Sequence, residues 1–163
     1  MTENKPKNTG PKKYTVLVAV DFSPASARAL RMARSIMGQK PDRLVVIHVV
    51  DHDFVKRCIS NGIATESQIK KILFLQAKQR LKDFLQKEGM AGHSVEELIC
   101  EGIPFLEINK KAAHLNADMV IMGNRGNSGD MHTIFFGSTT ERVLRFMSRP
   151  VLCIPIEENR KHE

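Results

Sequence analysis

Gly123, Gly126, Gly137, Ser138 and Thr139 have the residue types and spacing of an anion site. The short apolar run Met119 to Met122 predicts a buried strand that ends directly at Gly123. Gly126 follows, and after a polar loop Gly137 leads into Ser138, with Glu141 three positions later. Ser followed at that distance by Glu is a capping-box signature, marking a helix N-terminus whose first backbone N–H groups have no intrahelical partner. Those groups, with the positive end of the helix dipole, attract anions, and glycines beside them let a phosphate come close to the backbone. A turn after a strand also asks for glycine, so Gly123 and Gly126 taken alone fit a plain turn as well as an anion cradle. The loop contains neither the Gly-Lys-Ser/Thr of a P-loop nor the spacing of the dinucleotide fingerprint.

Asp21 closes the β-branched run Tyr14 to Val20. Its carboxylate could accept from a ribose hydroxyl or an adenine amino group, or cap the helix that begins at Ser23 and Pro24. Ala19, Val20 and Val49, at the ends of two strands, are candidate walls and backbone contacts for a base, and equally plain core residues. Arg125 is the only Lys or Arg between Gly123 and Thr140, and suits either a phosphate partner or a solvated side chain. Phosphoryl transfer needs a placed cation or metal-binding carboxylate and a group that orients the nucleophile. The loop offers only Asp130 and His132 beside Arg125, so no catalytic residue is assigned. His48, Asp51, His52 and Asp53 form a metal-like cluster without a third firm ligand, and no metal site is assigned.

Gly123-x-x-Gly126, a spacer, then Gly137-Ser138 resembles the ATP-binding signature of the universal stress protein family, G-x-x-G, nine residues, then G-Ser/Thr. Three further stretches resemble the same family: Val18 to Ser23 its first strand, His48 to Asp51 the end of its second, and Ser148 to Pro155 its last. The spacer here, Asn127 to Phe136, has ten residues, one more than the pattern. The resemblance implies an adenine nucleotide alpha hydrolase-like, Rossmann-like α/β domain that binds ATP, with or without Mg2+. It places Ala19, Val20, Asp21, Val49, Met122, Gly123, Arg125, Gly126, Gly137, Ser138 and Thr139 at the nucleotide. It also implies a homodimer joined by pairing of the last strands, through Val151, Leu152, Cys153 and Ile154. The expected role is a nucleotide-dependent stress or regulatory module, at most a slow ATPase. One alternative is a member that has lost the nucleotide and works through protein contacts. Another is an enzyme of the related hydrolase group that needs a second substrate.

The elements that must position these residues alternate along the chain. Tyr14 to Val20 predicts a strand buried on both faces. A helix follows from Pro24, with Ala27, Leu30, Ala33, Ile36 and Met37 at helical spacing and Gly38 as its stop. Leu44 to Val50 is a second buried strand, and Asp51 to Asn61 has no decisive period. Thr65 with Gln68 forms a capping box that opens a long helix ending at Gly89. Ser94 to Cys100, interrupted by Glu96 and Glu97, reads as an edge strand. A helix from Pro104 ends in a left-handed cap at Asn116, and the glycine loop, a capped helix and the strand Val151 to Ile154 complete the chain. Strict strand–helix alternation predicts a five-stranded parallel sheet in the order 3-2-1-4-5 with helices on both faces. The chain then reverses direction between the first and fourth strands, where ligands of such sheets bind, and Asp21 and Gly123 end those two strands.

The 163 residues suit one domain, read as 14–156 between a disordered basic tail, 1–13, and a polar tail, 157–163. Hydrophobic residues make up 42% and charged residues 26%. No apolar run approaches the ~20 residues of a membrane span, and the N-terminus lacks the apolar centre of a signal peptide, so the cytoplasm is expected. Of the net +7, Lys5, Lys7, Lys12 and Lys13 against Glu3 put +3 in the tail. With one Tyr and no Trp there is little surface for base stacking, and no nucleic-acid partner is expected. Cys58, Cys100 and Cys153 have no C-x-x-C spacing, and Cys100 and Cys153, in strands, read as small buried apolar residues.

Overall fold

The computed structural model describes residues 13–37, 43–60, 64–126 and 136–156. The elements are β1 (Thr15–Ala19), α1 (Pro24–Met37), β2 (Arg43–Asp51), α2 (His52–Ser60), α3 (Glu66–Lys87), β3 (Val95–Gly102), α4 (Pro104–His114), β4 (Met119–Gly123), α5 (Ser138–Phe146) and β5 (Val151–Ile154). The strands form one parallel sheet in the order β3-β2-β1-β4-β5, the predicted architecture. β1 lies in the middle: Val16 sits between Leu44 of β2 and Met119 of β4.

Side chains of a strand alternate between its faces, and β1 divides its own in that way. Val16 and Val18 pack with Ala29, Leu30 and Ala33 of α1 and Leu81 and Leu85 of α3. Leu17 and Ala19 pack on the opposite face with Ile108 and Ala112 of α4 and Val143 of α5. Leu17, Leu30, Ile47, Leu81 and Ile121 are fully buried, each stabilising the fold by about 1.5–3 kcal/mol.

The expected caps are present in α1 and α3. Ser23 Oγ accepts the Ser26 N–H at 3.2 Å. Thr65 and Gln68 close a reciprocal capping box. Asn116 adopts φ 49 after α4, as a left-handed cap requires. β3 is an edge strand, with Glu96 and Glu97 exposed. The Glu96 carboxylate accepts two 2.6 Å hydrogen bonds from the Arg43 guanidinium, which holds its carboxyl below the usual range.

Two expectations need correction. Residues 52–60 are helical, because the Asp51 carboxylate accepts the N–H groups of Asp53 (2.8 Å) and Phe54 (3.2 Å) and so starts a helix. That helix buries only Val55, too little to leave an apolar period in the sequence. Ser138 does not cap α5 either. Gly137 is the N-cap, with no side-chain capping bond, and Glu141 pairs with Arg145 instead. The Gly38 stop, Asp130, His132, residues 1–12 of the N-terminal tail and the tail 157–163 lie outside the described residues.

One turn departs from local preference. Phe22, between β1 and α1, has φ 64, a left-handed conformation that costs a residue with a Cβ about 1–2 kcal/mol. Its ring lies against His48 (centroids 4.3 Å apart) and edge-on to Phe84 (5.5 Å). The Arg80 guanidinium sits over it, 4.4 Å from the centroid.

Candidate functional site

A cavity of about 550 Å3 opens at the carboxyl ends of the central strands. That volume falls within the ~300–1,000 Å3 typical of small-molecule sites. All eleven residues put forward from the sequence line it. Ala19, Val20 and Asp21 come from the end of β1, Val49 from β2, and Met122 and Gly123 from the end of β4. Arg125 and Gly126 follow β4, and Gly137, Ser138 and Thr139 form the entry to α5. The chain also brings in Ser26, Ile47, His48, Asp51, Pro104, Ile108, Phe136 and Thr140. Some of these left a sequence signal: Ile47 shares a strand face with Val49, and Ile108 lies one helical turn beyond Pro104. Phe136 left none.

The glycines do different work. At Gly123 a Cβ would stand 2.6 Å from the Ala25 Cβ and 3.0 Å from the Ala25 carbonyl carbon, so glycine is needed there to seat α1 against β4. At Gly126 a Cβ would stand 2.6 Å from Asp21 Oδ2, which places that carboxylate directly beside the glycine loop. The Gly137 N–H donates to the Asn124 carbonyl (2.9 Å), drawing the start of α5 back against the end of β4. Thr140, 3% exposed, completes this joint by donating its hydroxyl to the Gly123 carbonyl at 3.0 Å. Because Gly137 is the N-cap, the Ser138 hydroxyl is not spent on capping.

The electrostatics of this wall favour an anion. α1, α2, α4 and α5 all begin at the carboxyl edge of the sheet, so the positive ends of these helices face this side of the domain. Pro24 and Pro104 occupy first-turn positions in α1 and α4, where a missing N–H costs nothing. Arg125 lines the cavity and is the only Lys or Arg among its described lining residues. Asp21 is both capping acceptor and cavity residue, since Oδ1 accepts the Ser23 N–H at 3.1 Å while Oδ2 lies against Gly126.

His48 lines the cavity. Its Nδ1 is 2.9 Å from the Val20 carbonyl, which can only accept, so Nδ1 carries the proton. Burial pushes its pKa below 6.5, against the hydrogen bond to Val20, so the ring is neutral near pH 7. His52 turns instead to Glu101, 3.0 Å away. Among the described residues no group of three or more His, Cys, Asp or Glu is placed to hold a metal ion.

A parallel sheet ordered 3-2-1-4-5, with a glycine-lined crevice at its switch point, defines a Rossmann-like α/β domain. The model of the universal stress protein family matches residues 14–155, and the chain belongs to that family. It is 28% identical over 151 residues to universal stress protein MJ0577 of Methanocaldococcus jannaschii, covering 85% of this chain and 93% of that one. The solved structure of MJ0577 superposes with a TM-score of 0.77 at 27% identity, over 90% of this chain and 98% of that chain. Universal stress protein YxiE of Bacillus subtilis is 28% identical over 144 residues, 85% of this chain and 97% of that one. A universal stress protein from Archaeoglobus fulgidus, solved in complex with dAMP, shares the fold with a TM-score of 0.58 at 24% identity, over 88% of this chain and 98% of that chain.

Proposed function

We propose that the cavity binds ATP and that the protein works as a nucleotide-dependent regulatory module of the stress response. The observation that carries this reading is the meeting, at one cavity, of the α5 N-terminus, the glycines and Arg125. Backbone N–H groups at Gly137, Ser138 and Thr139 receive the phosphates, with Arg125 as their counter-charge. Asp21 takes a ribose hydroxyl. A carboxylate lying against the phosphate loop is too close to the phosphates to reach the amino group at the far edge of a base. Ala19, Val20, Val49 and Met122 then wall the base. The dAMP complex of a relative with the same fold supports this choice of ligand class. Mg2+, where present, is held chiefly by the phosphates and water, as is usual for that ion. Hydrolysis is at most slow, for the only cation lining the described part of the cavity is an arginine at the loop.

The direct test is to denature freshly purified protein and look for released nucleotide by mass spectrometry, together with calorimetric titration of ATP. Released ATP, or binding that Gly137→Val abolishes, is the expected result. No nucleotide and no heat would refute the assignment and leave a family member that acts through protein contacts. The sheet edge supplies a second reading of assembly. Among the described residues β5 pairs with β4 alone, and Val151, Leu152 and Cys153 are half-buried in the single chain, so the edge suits antiparallel pairing in a homodimer. Sedimentation at micromolar concentration checks it. A monomer there would exclude the dimer.

A further inference from the structure

The geometry points to Phe22 as a positioning residue for ribose recognition, a role that rests on the nucleotide reading of the cavity. Among the described residues only Phe22 and Asn116 have positive φ without being glycine, and Asn116 has an ordinary reason as a helix cap. A bulky ring in the left-handed region is uncommon and persists only where its surroundings over-determine it. His48 from β2, Phe84 from α3 and the Arg80 guanidinium from α3 all pack against the ring.

The strained residue lies between the two groups that the turn must separate. Asp21 has to stay at the cavity, against Gly126, while Ser23 two residues later has to cap α1. An extended or right-handed residue at position 22 would carry the chain onward and break one of those placements. The left-handed turn keeps both, and the Asp21 Oδ1 bond to the Ser23 N–H closes over it. Phe22 itself is not part of the cavity lining, so it acts through Asp21 and touches no ligand. Its ring cage holds the backbone angle that aims the carboxylate. The cage also ties the site to α3, a helix that contributes no lining residue, through Arg80 and Phe84.

The role is read from discrimination between nucleotides, which general loosening of the fold would not change. ATP and 2′,3′-dideoxy-ATP are titrated calorimetrically against wild type, Phe22→Leu and Phe22→Tyr. Wild type is expected to prefer ATP by roughly tenfold or more, the usual effect of a hydrogen bond to a charged group. Phe22→Leu keeps apolar bulk and loses the flat ring, and the preference should collapse toward unity with dideoxy-ATP affinity little changed. Phe22→Tyr keeps the ring and should retain the preference. A wild-type ratio in Phe22→Leu, or an equal loss for both nucleotides, overturns the positioning role while the nucleotide site stands. Wild type that binds both equally removes Asp21 from the ribose and the role with it. Wild type that binds neither overturns the nucleotide reading itself. Should Phe22→Leu not fold, Arg80→Ala carries the same comparison by taking only the guanidinium off the ring: a reduced ratio supports the role, and an unchanged one overturns it.

Discussion

Adding one methyl group at Gly126 separates binding from folding. The new Cβ of Gly126→Ala would stand 2.6 Å from Asp21 Oδ2, and the next nearest atom, the same residue's carboxyl carbon, is 3.8 Å away. Among the described residues, only the tip of one side chain has to move. The carboxylate turns off the Ser23 N–H, a loss of about 1 kcal/mol, or about 2–4 °C in melting temperature for a domain of this size. The ligand loses more. A hydrogen bond to a charged acceptor is worth ~1.5–3 kcal/mol, so ATP affinity should fall roughly ten- to hundredfold. Gly123→Ala is the contrasting variant, because its Cβ would meet Ala25 at 2.6 Å and that residue's backbone at 3.0 Å. Relief there means shifting α1 off β4, an overpacking cost of about 1–3 kcal/mol and a melting drop of up to roughly 10 °C. Thermal melts without nucleotide and calorimetry with ATP measure both variants. Wild-type affinity in Gly126→Ala, or a melting loss as large as that of Gly123→Ala, would refute the assignment of Asp21 to the ligand.

Three other outcomes are expected. Arg125→Gln should weaken ATP by about tenfold and leave adenosine unaffected, as a comparison of the two titrations will show, since the proposed role gives the guanidinium to the phosphates alone. Thr140→Val removes the hydroxyl bonded at 3.0 Å to the Gly123 carbonyl and should lower stability by about 1–3 kcal/mol, read from urea unfolding. His48 gives a pH dependence. Burial, helped by the Arg80 charge, lowers its pKa in the folded protein, while the Val20 carbonyl and Asp21 oppose that shift. The unfolded chain therefore binds more protons below about pH 6.5, so the contribution is complete above that pH and is lost as pH falls through the lowered folded value. Melting curves from pH 8 to 5 should show this acid-side loss, and His48→Gln should flatten it.

The parts of the molecule that follow from local pattern were legible in the chain. Alternating apolar runs and caps specify the sheet and its order, and strand-end residues such as Asp21 and Gly123 mark the crevice because the switch point follows from that order. What tertiary contacts impose was not. Ser138 and Glu141 spell a capping box, yet the Gly137 and Thr140 bonds to the end of β4 set the start of α5 one residue earlier. No propensity scale puts Phe22 in the left-handed region; three side chains distant in sequence hold it there. α2 was missed for the opposite reason. It buries one residue, and a nine-residue helix started by a single Asp leaves no period to read.

The central place of β1 also sets an order of events during synthesis. β1 can pair with β2 soon after both are made, and β3 can then extend the sheet from β2. Its other edge must wait for β4: the Thr15 N–H that donates to Asp118 is separated from it by 103 residues. At ribosomal rates of ~5–20 residues per second, that edge stays open for roughly 5–20 s. The cavity straddles this last seam, between Asp21 and Gly123. Nascent chains thus acquire the wall formed by β1 and β2 first and the glycine loop last, and no nucleotide can be held across the seam until the C-terminal half has docked.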